Sequence, residues 1–190
     1  MRINLLLVGA TVFALSTMGC TNTGTKTETK EPTETADTAV EDALQDTVSV
    51  VNPTADVSFK DGAGKQLKLS ELKGKVVFVN FWATWCPPCI EELPSIAKLS
   101  KHFANNEDIA FLLVDVDGEY DQSADFLKTR NIKLANYIPD SVIPSSFLEN
   151  AIPSTVIIDK KGKLVQRFQG ARDYDNPDMI KAIESLVQEN

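Results

Sequence analysis

Histidine is almost absent from this chain, and cysteine is scarce. Among 190 residues there are one histidine, His102, and three cysteines, Cys20, Cys86 and Cys89. A structural zinc site needs four ligands, commonly a second Cys-x-x-Cys or a histidine pair. One Cys-x-x-Cys and a single histidine further along the same predicted helix do not supply them, so no metal is expected. Positive charge is also in deficit: 19 Lys and Arg against 27 Asp and Glu leave a net charge of −8. That balance argues against nucleic acid or an anionic lipid surface as the partner. No internal repeat is present.

What is there divides into three parts. Residues 1–19, MRINLLLVGATVFALSTMG, carry Arg2, an apolar run and small residues ahead of Cys20. The run is short for a membrane span and reads as a secretory signal. Gly19-Cys20 resembles a bacterial lipobox, although Thr17 stands where leucine is usual, so Cys20 is the expected lipidation site. Residues 20–52 are threonine-rich and acidic, with almost no large apolar residue before Leu44. Such a segment buries too little surface to offset its chain entropy and is expected to be a disordered tether. Its r.m.s. reach would be at least about 30 Å. Residues 53–190 have the texture of one folded domain.

Within that domain, Val57–Lys60 and Gln66–Leu69 alternate around Asp61-Gly62-Ala63-Gly64 and predict a hairpin. Ser70 is the candidate cap of a short turn. Val76-Val77-Phe78-Val79-Asn80-Phe81-Trp82 is an apolar run suited to a strand buried on both faces, as is Ile109–Val116. Between them a helical period runs from Cys86 to about Phe103. Further helices are predicted over Asp121–Arg130, Pro144–Asn150 and Pro177–Glu189, the last with proline in its first turn. A short strand is expected at Asn136–Pro139, and a second hairpin from Thr155–Asp159 and Leu164–Phe168 around Gly162. The order predicts one α/β domain around a mixed sheet.

The chemistry concentrates at Trp85-Cys86-Pro87-Pro88-Cys89. A disulfide across two residues closes too small a loop to stabilise much, so an inert staple is a poor reading. Strand, tight link and helix place Cys86 at a helix N-terminus, where unpaired N–H groups and the helix dipole favour a thiolate. Cys89, one turn in, is expected to be more buried and to act second. Pro87 and Pro88 lack N–H donors at positions where the helix tolerates the loss. Export would place the pair where disulfides persist.

The segment NFWATWCPPC resembles the active site of thioredoxin-fold thiol–disulfide oxidoreductases, over roughly residues 56–190. More narrowly the chain is similar to the membrane-tethered TlpA/ResA-like branch, through Cys86-Pro87-Pro88-Cys89-Ile90-Glu91-Glu92, the N-terminal hairpin and the helix and strand at about 121–139. The resemblance implies a thioredoxin-like α/β fold, with a central mixed sheet flanked by helices, an N-terminal hairpin and a central helix–strand insertion. It makes Pro94 the proline within the active-site helix. It also makes Ile152-Pro153 the cis-proline loop, since of two Ile-Pro-Ser stretches only this one leads into the second hairpin. Trp85, Pro87, Pro88, Ile152 and Pro153 would form the surface that docks a client, with the Ile152 backbone pairing with the client strand. Trp82 is expected to pack under the strand.

Many thioredoxins carry a buried aspartate six residues before the first cysteine; this chain has Asn80. Asparagine takes up no proton at neutral pH, so Cys89 needs another base. Glu92, three residues on and on the same helix face, is the candidate, provided that burial raises its pKa. Glu91 is expected to be solvated.

The implied mechanism uses no cofactor. Cys86 attacks a disulfide of an exported protein, Cys89 resolves the mixed disulfide, and a membrane thiol transporter re-reduces the pair. The protein would be a monomer held to the bacterial cell envelope, facing the periplasm, by lipid at Cys20. Cytochrome c maturation is one process the branch serves. Two other functions compete. A peroxiredoxin-like peroxidase usually has threonine three residues before its cysteine, whereas Thr84 lies two before Cys86. A non-enzymatic metal or haem carrier would fail to reduce an exposed disulfide, and His102 is badly placed as a distant ligand.

Overall fold

The computed structural model describes residues 57–189; the signal segment, Cys20 and the tether to residue 52 lie outside the described residues. Strands β1 (Ser58–Lys60) and β2 (Gln66–Lys68) form the expected N-terminal hairpin. Asp61 organises its turn, its Oδ1 accepting from the N–H groups of Ala63 and Lys65 at 2.9 Å each. The turn that follows, Leu69–Leu72, is a single 3-10 turn. Its cap differs from expectation: Ser70 lies inside it, and Glu71 reaches back to accept from the Lys68 N–H at 3.2 Å. The cause is register, because Leu69 is drawn into the core and the turn starts one residue earlier.

Strand β3 (Val76–Trp82) is buried at every position, as a central strand of an α/β sheet must be. Helix α1 (Pro87–His102), β4 (Ile109–Asp115), α2 (Tyr120–Thr129) and β5 (Ala135–Pro139) follow. The β6–β7 hairpin (Ser154–Ile158, Leu164–Gln169) and α3 (Pro177–Gln188) complete the domain. The seven strands run in the order β2-β1-β5-β4-β3-β6-β7. β3, β4 and β5 are parallel, and β6 is antiparallel to β3.

Period-two alternation along β3 sorts its side chains between two cores. Val76, Phe78 and Trp82 join a cluster with Leu93, Ile96 and Leu99 of α1, Leu127 of α2 and Ile183 of α3. Val77, Val79 and Phe81 join a second cluster with Phe59, Leu69 and Phe147. All three helices thus pack on one face. The crossovers β3-α1-β4 and β4-α2-β5 step in the same direction across the sheet, and right-handed connections then put both helices on the same side. The opposite face is covered by the 3-10 turn and the 141–150 loop.

That loop corrects one expectation. Residues 144–150 form no helix but a single turn, with the N–H groups of Phe147 and Leu148 both bonded to the Pro144 carbonyl. One fully buried anchor, Phe147, fixes it, and Ser154 Oγ donates to the Phe147 carbonyl at 2.7 Å. A turn tied to the core at Phe147 has no need to propagate as a helix.

Candidate active site

The link between β3 and α1 is a tight turn in which the Cys86 N–H bonds the Ala83 carbonyl at 3.2 Å. Cys86 is the N-cap of α1. Pro87 and Pro88 occupy the next two positions and bring no N–H, so Cys89 carries the first free donor, which points at Cys86 Sγ at 3.3 Å. This is the geometry in which a helix N-terminus stabilises an anion. The two sulfurs are bonded to each other at 2.05 Å. Cys86 is 3% exposed and Cys89 fully buried, the order the sequence predicts, though both are well covered in the disulfide state. Pro87 and Pro88 are exposed beside them.

Glu92 follows one turn after Cys89 on the buried face of α1 and is only 2% exposed. A carboxylate withdrawn from water this far needs donors. Asn80 Nδ2 donates to Glu92 Oε1 at 2.7 Å, and the Arg172 N–H donates to Oε2 at 3.2 Å. Burial outweighs these bonds and raises the Glu92 pKa from its ordinary 4.5 to about 7. A carboxyl poised near neutrality one turn from a buried cysteine can take that cysteine's proton. Glu91, its neighbour in sequence, is exposed as expected.

The network extends beyond the residues legible in the sequence. Asn80 and Thr155 are registered partners across β3 and β6, and Asn80 Nδ2 gives its second hydrogen to Thr155 Oγ1 at 2.9 Å. The buried Tyr174 hydroxyl donates to the same oxygen at 2.6 Å. Ser95 Oγ donates to the Glu92 carbonyl and accepts the Tyr174 N–H, tying α1 to the 172–174 loop. None of Thr155, Tyr174 or Arg172 was singled out by pattern. Thr155 lies in an apolar strand, and Tyr174 is a lone aromatic in the polar run ARDYDNP; that isolation was the one available signal.

The Ile152–Pro153 bond is cis. Ile152 is partly buried against both cores, and Pro153 leads directly into β6, which lies beside β3. Trp82 is fully buried, its ring 5.6 Å from that of Phe126. Trp85 is 65% exposed, its indole Nε1 donating to Asp117 Oδ2 at 2.5 Å. Pro94 lies inside α1, and its side chain is exposed. His102 ends the same helix, exposed and 3.4 Å from Glu184. At 1.5 Å rise per residue it is roughly 20 Å from the dithiol.

Comparison with known proteins places the chain in a family. The profile of the Redoxin family matches residues 39–183. Thiol-disulfide oxidoreductase ResA of Bacillus subtilis is 30% identical over 148 residues, covering 75% of this chain and 82% of the relative. Thioredoxin-like protein YneN of the same organism is 33% identical over 108 residues, 56% of this chain and 64% of that one. Among solved structures, a thiol:disulfide interchange protein of Chlorobium tepidum superposes with a TM-score of 0.57 at 27% identity. That match covers 71% of this chain and 97% of the other. The exposed lipoprotein thioredoxin of Streptococcus pneumoniae gives 0.56 at 26% identity, covering 68% and 98%. With its thioredoxin-like sheet and a Cys86–Cys89 pair capping α1, the chain belongs to the Redoxin family and is a thiol–disulfide oxidoreductase.

Proposed function

We propose that this oxidoreductase works as a reductant of exported disulfide proteins, with Cys86 as nucleophile, Cys89 as resolving thiol and Glu92 as proton acceptor. The observation that carries these residue roles is the buried Glu92 carboxyl one turn from Cys89, with a pKa raised to about 7. The Cys86 thiolate attacks one sulfur of the client disulfide. That bond breaks, a Cys86–client bond forms, and the released client sulfur takes a proton from solvent. Cys89 gives its proton to Glu92 and attacks Cys86 Sγ. The second client sulfur leaves and is protonated in turn. Two electrons have passed to the client, and the Cys86–Cys89 disulfide remains.

Trp85, Pro87, Pro88 and Ile152 make up the docking surface in this reading, and Pro153, itself buried, shapes it from beneath through its cis bond. Exposure of Trp85 and the two prolines beside the nucleophile supports it. Lipid at Cys20 and a flexible tether over residues 20–52 would hold the domain at the cell envelope, facing the periplasm. Similarity to an exposed lipoprotein thioredoxin supports that placement. Re-reduction then falls to a membrane thiol transporter, and apocytochrome c is a candidate client. The chain would act as a monomer.

The test is the redox state of Cys86 and Cys89 in growing cells, by acid quench and thiol alkylation, followed by trapping with Cys89→Ser. Free thiols, and exported proteins caught on Cys86, are expected. A predominantly oxidised pair in cells with an intact electron supply would refute the reductant assignment.

A further inference from the structure

The Asn80 amide has two ends, and the end that faces Glu92 decides whether the carboxylate meets a donor or an acceptor. In the structure the Nδ2 end faces it. The Oδ1 end is buried and meets no donor among the described residues, so it does nothing to hold the amide. What holds it is the second Nδ2 bond, to Thr155 Oγ1. Thr155 is in turn steadied by the Tyr174 hydroxyl. Burial, and next the Glu92 charge, push the Tyr174 pKa well above the ordinary tyrosine value, so this hydroxyl keeps its proton and remains a donor. A flipped Asn80 would set Oδ1 against Glu92 Oε1, and two acceptors in contact require a proton between them.

We propose that Thr155, and behind it Tyr174, are positioning residues for the resolving step: acting through Asn80, they hold a donor against Glu92 and so let it exist as an anion inside the core. The inference rests on Glu92 being the proton acceptor. The groups facing Glu92 are few. α1 presents Cys89, with Glu91 and Lys98 at the rim of an open groove of about 370 Å³. The 171–174 loop presents Arg172, Asp173 and Tyr174, and the Arg172 guanidinium is stacked 3.9 Å over the Phe168 ring. β3 and β6 contribute only the uncharged Asn80 and Thr155. Glu92 itself lines the groove, which gives its proton a path to water away from the cysteines.

The experiment is stopped-flow reduction of an aromatic disulfide reporter that absorbs as each thiolate is released. The fast release reports attack by Cys86 and the slow release reports resolution by Cys89. The slow phase of the wild type is expected to have its pH midpoint near 7. Thr155→Val moves that midpoint up by about one pH unit, a roughly tenfold slower resolution well below it, with the fast phase unchanged. Thr155→Ser restores the wild-type midpoint. Tyr174→Phe moves it the same way by a smaller step, and carries the test alone if Thr155→Val fails to fold.

Glu92→Gln separates the two levels of the argument. If it abolishes the transition while the Thr155 and Tyr174 variants leave the midpoint in place, the positioning role is overturned and the proton acceptor stands. If Glu92→Gln keeps the wild-type profile, the proton-acceptor reading falls and takes this inference with it.

Discussion

Replacing Glu92 by glutamine removes a buried carboxyl whose pKa is lifted to about 7, and the consequence is readable in stability without any catalysis. The folded protein keeps the Glu92 proton at a pH where the unfolded chain has already released it. The stability this group contributes is therefore complete below about 4.5 and is lost as pH rises through about 7. At about 1.4 kcal/mol per pH unit, that interval corresponds to about 3 kcal/mol. Urea unfolding of the oxidised protein between pH 4.5 and 8.5 tests it, because the closed disulfide removes the cysteine titrations. Glutamine changes absolute stability too, since its amide would set a donor against the Arg172 N–H. The difference between the two proteins across the pH range cancels that offset. It also cancels the raised pKa of Asp115, whose burial is common to both. Wild type should lose about 3 kcal/mol relative to Glu92→Gln over the range. Parallel curves would refute the account of Glu92 as a carboxyl destabilised by burial.

Two further outcomes follow from the site. Pro88→Ala restores an N–H at the second position of α1, from which a cap side chain commonly accepts, so the pH midpoint for alkylation of Cys86 in the reduced protein should fall by several tenths of a unit. An unchanged or higher midpoint would mean that the added donor does not reach the sulfur. Trp85→Ala should alter stability by less than about 1 kcal/mol, since the side chain is largely exposed. It should raise the KM for a protein disulfide severalfold while leaving reaction with a small disulfide unchanged; equal losses on both would place Trp85 in the chemistry rather than in docking.

Much of the domain is legible in the sequence. β3 declares itself by seven consecutive residues suited to full burial, and α1 by a helical period opened by prolines at positions that need no donor. The placement of Glu92 on the buried face beside Cys89 was legible because it lies one turn away on the same helix, a local relation that spacing alone conveys. The short helix expected at Pro144–Asn150 was misjudged because a local propensity there competes with a tertiary anchor, Phe147, whose burial depends on the opposite face of the sheet. The Ser70 cap failed for a similar reason: burial of Leu69 set where the turn begins.

The amino-acid sequence by itself determined the local arrangement around the dithiol: two cysteines three positions apart, a helix start beneath them, and a carboxyl within one turn. All of these are relations within a few residues, and chain geometry alone specifies them. Only the tertiary structure decided how that carboxyl is held. Asn80, Thr155, Arg172 and Tyr174 come from β3, β6 and the loop before α3, as far apart in the chain as 94 positions. They meet because the sheet order sets β6 beside β3 and the 172–174 loop is tied to α1 through Ser95. Whether a buried carboxyl finds donors depends on which distant strands become neighbours, and no local pattern encodes that.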